Sequence, residues 1–147
     1  MQVDNKNDDE SSNMTKSVEV REYMRTPRTV KQSITISEAS QVIIENRVSG
    51  VVVVDDDGRL VGVLSELDCM RAIVSAVYNG GTPGAEQVQV VMTKEVAVNS
   101  PSEDIITVAA EMLKQKHRRR PIVENGKLVG QISCRQLLRA INDFGGQ

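Results

Sequence analysis

A repeat at a fixed spacing constrains this chain more than any other feature of its sequence. The segment from Gly58 to Ile73, Gly-Arg-Leu-Val-Gly-Val-Leu-Ser-Glu-Leu-Asp-Cys-Met-Arg-Ala-Ile, returns 68 positions later (126 − 58) as Gly-Lys-Leu-Val-Gly-Gln-Ile-Ser-Cys-Arg-Gln-Leu-Leu-Arg-Ala-Ile. Each copy reads as a tight turn, a strand and then a helix that opens at a serine. Because the repeat fills most of the 147 residues, we expect two small halves that fold against each other.

Charge and composition argue against several classes of function. Residues 1–17 carry a net charge of −2, which leaves 16 basic and 16 acidic residues in the body of the chain. A balanced body gives no reason to expect nucleic acid or an anionic membrane as partner. The chain has no Trp, one Phe and two Tyr, which argues against aromatic stacking on single-stranded nucleic acid. With no long apolar run and no signal-peptide pattern, a cytoplasmic protein without membrane spans is expected.

Metal chemistry finds no support in the sequence. His117 is the only histidine, and Cys69 and Cys134 fall at different places in the two copies, so a structural zinc site is excluded. One disulfide is possible, but buried free thiols of a reducing compartment are the preferred interpretation. The run from Asp55 to Gly58 lacks the alternating ligands of a calcium loop. It is interpreted as a hairpin turn.

Periodicity and turn residues predict helix, strand, turn, strand and helix in each copy. Residues 1–17 are polar and are predicted to be a disordered tail, followed by repeat 1 over residues 18–80 and repeat 2 over residues 81–147. The predicted elements are helices over 37–47, 65–78, 102–116 and 133–142, and strands over 51–54, 60–64, 121–123 and 128–132. Ser37 is expected to cap the first helix. Ile106, Ala109, Met112 and Leu113 are expected to face the core.

This arrangement resembles a CBS domain pair over residues 18–143. The family's ligand pattern runs Gly, hydrophobic, any residue, Ser or Thr, two further residues, and Asp or Asn. Gly62 to Asp68 fits that pattern at every constrained position, whereas Gly130 to Gln136 departs from it at Gln131 and Gln136. The resemblance implies an α/β (α+β) fold of two tandem CBS repeats, each helix-strand-strand-helix. It also implies a pseudo-twofold axis and ligand clefts between the repeats.

The same resemblance implies a function. CBS pairs are regulatory modules that bind adenosine-containing ligands such as AMP, ADP, ATP, NAD or S-adenosylmethionine. The sequence shows no catalytic constellation, P-loop or GxGxxG, so we expect a non-enzyme that needs no cofactor and takes an adenine nucleotide as regulatory ligand. With no attached effector domain in the sequence, the module is expected to act either alone or on an effector protein in trans. The alternative is an interaction scaffold that has lost its ligand site.

The ligand pattern assigns ribose binding to Ser65 and Asp68. A carboxylate can accept hydrogen bonds from both ribose hydroxyls. The same residue types also form a helix capping box, which explains Ser65 with Asp68 and equally Ser133 with Gln136. Ser133 and Gln136 are therefore expected to form, at most, a second and weaker site, because a neutral amide does not chelate a diol as a carboxylate does.

A basic run before the strand at Pro121 supplies candidate phosphate ligands. In related modules a basic pair at this position contacts phosphate, which assigns the role to Arg118 and Arg119. Arginine suits it because its planar fork donates two parallel hydrogen bonds. The alternatives are a solvated basic helix end, and an RNA or partner patch that includes Arg120. Nucleic acid is the least favoured of these because the body of the chain is neutral.

A homodimer is also expected. The second helix carries an apolar stripe that two repeats do not fully cover, and CBS pairs commonly dimerise through such helices. The stripe is formed by Leu67, Met70, Ile73, Val74 and Val77.

Overall fold

A computed structural model describes residues 18–145, so the disorder predicted for residues 1–17 lies outside the described residues. The described part is a mixed α+β fold with five α-helices and two small sheets, which confirms the predicted fold class. In chain order its elements are a 3-10 turn (Val20–Glu22), β1 (Thr29–Lys31), α1 (Ile36–Asn46), β2 (Gly50–Val54), β3 (Leu60–Ser65), α2 (Glu66–Tyr78), α3 (Val88–Val91), α4 (Ile105–Gln115), β4 (Arg119–Glu124), β5 (Lys127–Ser133) and α5 (Cys134–Gly145).

The described residues divide into two compact units. The first unit comprises Pro27–Val96 with Gly126–Leu128, and the second comprises residues 18–26, Ala97–Asn125 and 129–145. Residues 18–26 therefore begin the predicted first repeat in sequence but pack in the second unit. The repeat boundary predicted between residues 80 and 81 remains a prediction.

The first unit is built on a three-stranded sheet in the order β1-β2-β3. β1 runs parallel to β2, and β2 runs antiparallel to β3. The four valines that end β2 are all buried, as its continuously apolar sequence predicts. The β2–β3 turn is the expected hairpin, because Asp55 Oδ1 accepts the backbone N–H groups of Asp57 and Arg59 and Gly58 adopts a φ of 81°.

Helix α1 begins one residue earlier than predicted. Thr35, not Ser37, is its N-cap, since the Thr35 hydroxyl accepts the N–H of Glu38 at 3.1 Å. The Glu38 carboxylate returns the interaction by accepting the Thr35 N–H at 2.9 Å. These two residues form a Thr-x-x-Glu capping box. The expectation for Ser37 is therefore wrong.

The second unit has a two-stranded sheet, β4-β5, over its own apolar core. A single residue, Asn99, forms a parallel bridge to Ile122 in β4. Helix α4 buries Ile105, Val108 and Met112. The inward orientation expected for Ile106 and Leu113 is wrong, because both are exposed, Leu113 to 79%. The buried stripe runs i, i+3, i+7 from Ile105, one position before the predicted one.

The two copies correspond residue by residue, but the spacing between equivalent residues changes from 69 before the hairpins to 68 after them. Helices α1 and α4 begin 69 positions apart (105 − 36), and each ends at a left-handed residue, Arg47 or Lys116. Ser65 and Ser133, before the last helix of each copy, are 68 apart (133 − 65). The first hairpin therefore contains one extra residue, where the β2–β3 register shifts. Residues before the hairpins are compared below at a spacing of 69.

Candidate functional site

The start of α2 holds the residues with the strongest functional prediction. The Ser65 hydroxyl accepts the Asp68 N–H at 3.0 Å, and Asp68 Oδ2 accepts the Ser65 N–H at 3.0 Å. Arg71 Nη1 donates to Asp68 Oδ1 at 3.2 Å, and the Asp68 side chain is 20% exposed. The capping box is thus present. Because a carboxylate has about four acceptor positions and two are used here, two acceptor positions of Asp68 remain.

The glycine of the ligand pattern is required by packing within the first unit. A Cβ at Gly62 would lie 2.6 Å from Met92 Sδ and 2.8 Å from the Thr93 carbonyl oxygen. Val63 in β3 and Thr93 exchange two backbone hydrogen bonds, of 3.0 and 2.9 Å. Glycine at position 62 therefore allows the segment that contains Met92 and Thr93 to pack directly against β3, three residues before Ser65.

A surface cavity of about 400 Å³ lies near the start of α2 in the first unit. Its polar lining residues are Arg47, Ser49 and Glu66, beside an apolar wall from α1 that includes Ile44. The backbone carbonyl of Ser49 accepts the Glu66 N–H at 2.9 Å. Arg47 was missed because its left-handed conformation at the end of α1 is not visible in the sequence.

The start of α5 repeats the arrangement in the second unit, with an amide instead of the carboxylate. Gln136 Oε1 accepts the Ser133 N–H at 2.8 Å, and the Ser133 hydroxyl accepts the Gln136 N–H at 3.3 Å. The Arg118 carbonyl accepts the Cys134 N–H at 3.0 Å, as Ser49 does for Glu66. The structure therefore brings Arg118 together with Ser133 and Gln136. Asp68 belongs to the other unit.

The three consecutive arginines have three different environments. Arg118 is exposed, Arg119 is half-buried in β4, and Arg120 is buried, with 3% of its surface exposed. Arg120 lies in a basic run whose sequence predicts, as one alternative, a surface patch for RNA or a partner. This interpretation is wrong for Arg120, because its side chain lies inside the second unit.

A polar network surrounds the Arg120 guanidinium. Nε donates to His117 Nδ1 at 3.1 Å, Nη2 donates to Gln115 Oε1 at 2.8 Å, and Nη1 donates to both Asn99 Oδ1 at 2.8 Å and Glu111 Oε1 at 3.2 Å. Asn99 Nδ2 also donates to Glu111 Oε1 at 3.0 Å. The hydrogen bonds from Asn99 and then Arg120 lower the pKa of Glu111 below its ordinary value. The network therefore holds an ion pair in its charged form.

The cysteines and the metal prediction can also be placed. Both cysteines are free thiols, Cys69 buried and Cys134 exposed, so the expectation of two buried thiols holds only for Cys69. Burial raises the pKa of the Cys69 thiol.

Between residues 18 and 145, no group of His, Cys, Asp and Glu side chains is arranged to hold a metal ion. In the same range, no helix combines the length and apolar character needed to cross a bilayer.

Comparison with known proteins places this geometry in a family. A family model described as CBS domain matches residues 20–75 and 86–143. A 17.7 kDa protein of Acidianus ambivalens is 35% identical over 115 residues, which is 78% of this chain and 66% of that protein. The inosine-5'-monophosphate dehydrogenase of Aquifex aeolicus is 31% identical over 115 residues, 77% of this chain and 22% of the enzyme. The chain spans 39%, 66% and 57% of the length of the first three curated relatives it matches.

Solved structures agree with the family model. CBSX2 in complex with AMP has a TM-score of 0.75 and 30% identity, covering 86% of this chain and 98% of that one. The CBS domain pair of protein MJ0100, in complex with 5'-methylthioadenosine and S-adenosyl-L-methionine, has a TM-score of 0.67 and 25% identity, covering 88% of this chain and 97% of that one. Two matched domains, a shared fold and a repeated helix start together show that this chain belongs to the CBS domain family, as a tandem pair.

Proposed function

We propose that this chain is a non-enzymatic regulatory module that binds an adenosine-containing ligand, with AMP as the first candidate. The observation that carries the proposal is the Asp68 carboxylate, fixed at the start of α2 with acceptor positions left for a diol. It occurs in a chain that is similar in fold and sequence to an AMP complex. ADP, ATP, NAD and S-adenosylmethionine remain alternative ligands.

Ribose is assigned to Asp68 for an electrostatic reason. An ionised acceptor makes hydrogen bonds worth about 1.5–3 kcal/mol, against about 0.5–1.5 kcal/mol for neutral pairs. The N-terminus of α2 also favours a negative charge at this position. Gln136 offers only an amide, so Ser133 and Gln136 are proposed as the weaker site. About one tight ligand per chain follows from this asymmetry.

Phosphate is assigned to Arg118 and Arg119. Support comes from the exposure of Arg118 and from its carbonyl bond to Cys134, which holds the residue beside the start of α5. Arginine donates paired hydrogen bonds to phosphate oxygens. The contrast with Ser49 at the corresponding position of the first unit suggests that the units differ in their preference for charged ligands.

The proposal is tested by calorimetric titration of AMP into the parent and into matched variants. Asp68→Asn keeps an acceptor for the helix cap but removes the charge, and should weaken the tight phase about tenfold, which is about 1.4 kcal/mol. Gln136→Ala should change that phase little. A tight phase that survives Asp68→Asn unchanged, or two equal sites per chain, contradicts the assignment.

The phosphate assignment is tested by comparing the binding of AMP with that of adenosine. Arg118 lies in the second unit with Ser133 and Gln136, so replacing Arg118 and Arg119 by alanine should weaken AMP binding in that unit by about 1.5–3 kcal/mol per charged hydrogen bond lost, without changing the tight phase assigned to Asp68. Adenosine, which lacks the phosphate, should bind as to the parent. Equal losses for AMP and adenosine mean that these arginines do not contact phosphate. If no adenosyl compound binds the parent, the scaffold alternative replaces the sensor proposal.

We further propose a homodimer formed through α2. Four large apolar side chains of this helix are between 48% and 60% exposed: Leu67, Met70, Val74 and Val77. Exposed apolar surface of this kind favours association. Light scattering coupled to size exclusion should give a dimer for the parent and a monomer after Met70→Lys with Val74→Lys. A monomeric parent at micromolar concentration contradicts the proposal.

A further inference from the structure

The environment of Arg120 differs between the two units in a way that the fold does not require. At the spacing of 69, four of the five network residues correspond to valines of the first unit: Asn99, Glu111, His117 and Arg120 correspond to Val30, Val42, Val48 and Val51. The fifth, Gln115, corresponds to Asn46. Val30 and Val51 are buried in the apolar core of the first unit, and Val42 and Val48 are partly buried and pack against it. The bridge pattern supports the correspondence, because Val30 pairs with Val53 as Asn99 pairs with Ile122.

Comparing the two units of this chain shows whether folding alone requires the polar network. Burying a charged guanidinium such as that of Arg120 is costly even when its partner, here the 45% exposed Glu111, stays in contact with water. Well-packed apolar side chains often stabilise a fold as much or more. Since the first unit fills the corresponding positions with valines, its scaffold is complete without a polar network. The presence of the network in the second unit therefore needs another explanation.

The second difference between the units lies directly beside the network. The connection between α4 and β4 carries Arg118, and its counterpart in the first unit carries Ser49. A basic pair and a buried network thus occur together in the second unit, and neither occurs in the first. Adjacent like charges repel each other, so two arginines that contact one phosphate need a rigid backbone beneath them.

The network supplies such a support from three directions. The connection is held at its start by the left-handed Lys116 and by the His117 N–H, which donates to the Met112 carbonyl at 2.9 Å. Arg120 then ties the His117 ring to Gln115 on α4 and to Asn99. Arg118 lies between His117 and the strand that starts at Arg119, so both sides of its backbone are fixed.

We infer that Arg120 is a positioning residue, which holds the 116–119 connection so that Arg118 and Arg119 are pre-arranged for a phosphate group. The role in phosphate binding rests on the proposed function. The rigidity of the connection rests only on the contacts described above. Arg120 is 3% exposed and its charge is paired with Glu111. We therefore place Arg120 beneath the site, where it supports Arg118 and Arg119 without contacting the ligand.

The test transplants the first unit's residues into the second. A four-valine variant carries Asn99→Val, Glu111→Val, His117→Val and Arg120→Val. It should remain folded, as the first unit is with valines at these positions, and should bind AMP in the second unit about tenfold more weakly while adenosine binding is unchanged. A tenfold change corresponds to about 1.4 kcal/mol.

Two readouts distinguish positioning from general stability. The Cys134 amide, bonded to the Arg118 carbonyl, should exchange with deuterium faster in the variant, whereas the Glu66 amide, bonded to Ser49, should not change. The four substitutions should also cost no further AMP affinity once Arg118 and Arg119 are alanine, because they act through these residues. Unchanged AMP affinity and unchanged Cys134 exchange in the folded variant overturn the inference.

A second variant, and a measurement that does not depend on ligand binding, keep the test decisive. Arg120→Lys retains the charge but loses the planar fork, and it serves if the four-valine variant does not fold. It should show the same two effects, and a parent-like result for both contradicts positioning. If the parent binds neither AMP nor adenosine, the proposed function fails, while the Cys134 exchange still decides whether the network holds the connection.

Discussion

Gly62 and Gly130 are equivalent in sequence but meet different atoms, which predicts unequal costs for the same substitution. A methyl group added at Gly62 would lie 2.8 Å from the Thr93 carbonyl oxygen as well as 2.6 Å from Met92 Sδ. At Gly130 the three nearest atoms all belong to the Met24 side chain, at 2.6, 2.9 and 3.3 Å. Methionine is flexible and can move aside. The Thr93 carbonyl cannot move without disturbing its bonds to Val63.

The size of the difference follows from this geometry. Gly62→Ala should cost about 1–3 kcal/mol for overpacking and about 0.5–1.5 kcal/mol for each of two weakened backbone hydrogen bonds. Restricting the unfolded chain returns about 0.4–1 kcal/mol. The expected net loss is about 3 kcal/mol, the centre of these ranges. Gly130→Ala lacks the hydrogen-bond loss and should cost about 1 kcal/mol.

Urea denaturation of the parent and the two variants measures these free energies of unfolding. Gly58→Ala is a useful third variant, because Gly58 has a φ of 81° and open space around its Cα. It should lose about 1–2 kcal/mol through backbone strain alone. If Gly62→Ala and Gly130→Ala lose equal stability, the Thr93 carbonyl is not the obstacle, and the reasoning from its position fails.

The remaining predictions concern a helix cap and an ion pair. Thr35→Ala should lower the free energy of unfolding by about 1 kcal/mol, whereas Ser37→Ala should stay within about 0.5 kcal/mol of the parent; equal effects in denaturation contradict the observed cap. The hydrogen bonds from Asn99 and Arg120 lower the pKa of Glu111, so their contribution to stability is present above the pKa of an unfolded Glu and is lost as the pH falls through the folded pKa. Glu111→Gln should therefore reduce the loss of stability on acidification below about pH 4.5, and unchanged pH dependence in denaturation would count against the pair.

Much of the fold was predictable because local rules and tertiary packing agree. The valines of β2, the Asp-Gly turn and the Ser65 cap each follow from one short stretch of sequence, and each is found as predicted. The errors arise where two local rules compete. Thr35 and Ser37 are both good cap residues, and only the Glu three positions after Thr35 distinguishes them.

The candidate site was less predictable, because its parts come together through tertiary contacts. Arg120 lies in a run of basic residues that resembles a solvated surface, and its partner Asn99 is 21 positions away. Glu111 and Gln115 are four residues apart on α4 and so share a face, but an amphipathic helix has a polar face of this kind in any case, so the pair does not indicate a network.

The position of residues 18–26 in the second unit has a consequence for synthesis on the ribosome. Arg25 exchanges backbone hydrogen bonds of 2.9 and 2.7 Å with Gln131, which is made more than a hundred residues later. Pro27–Val96, nearly all of the first unit, emerges well before that partner exists. The apolar side chains of Val18 and Val20 therefore stay without their native contacts through most of translation. In a truncated product that ends at Val96, residues 18–26 have nothing native to pack against, so the apolar side chains of Val18 and Val20 remain available to a chaperone or protease.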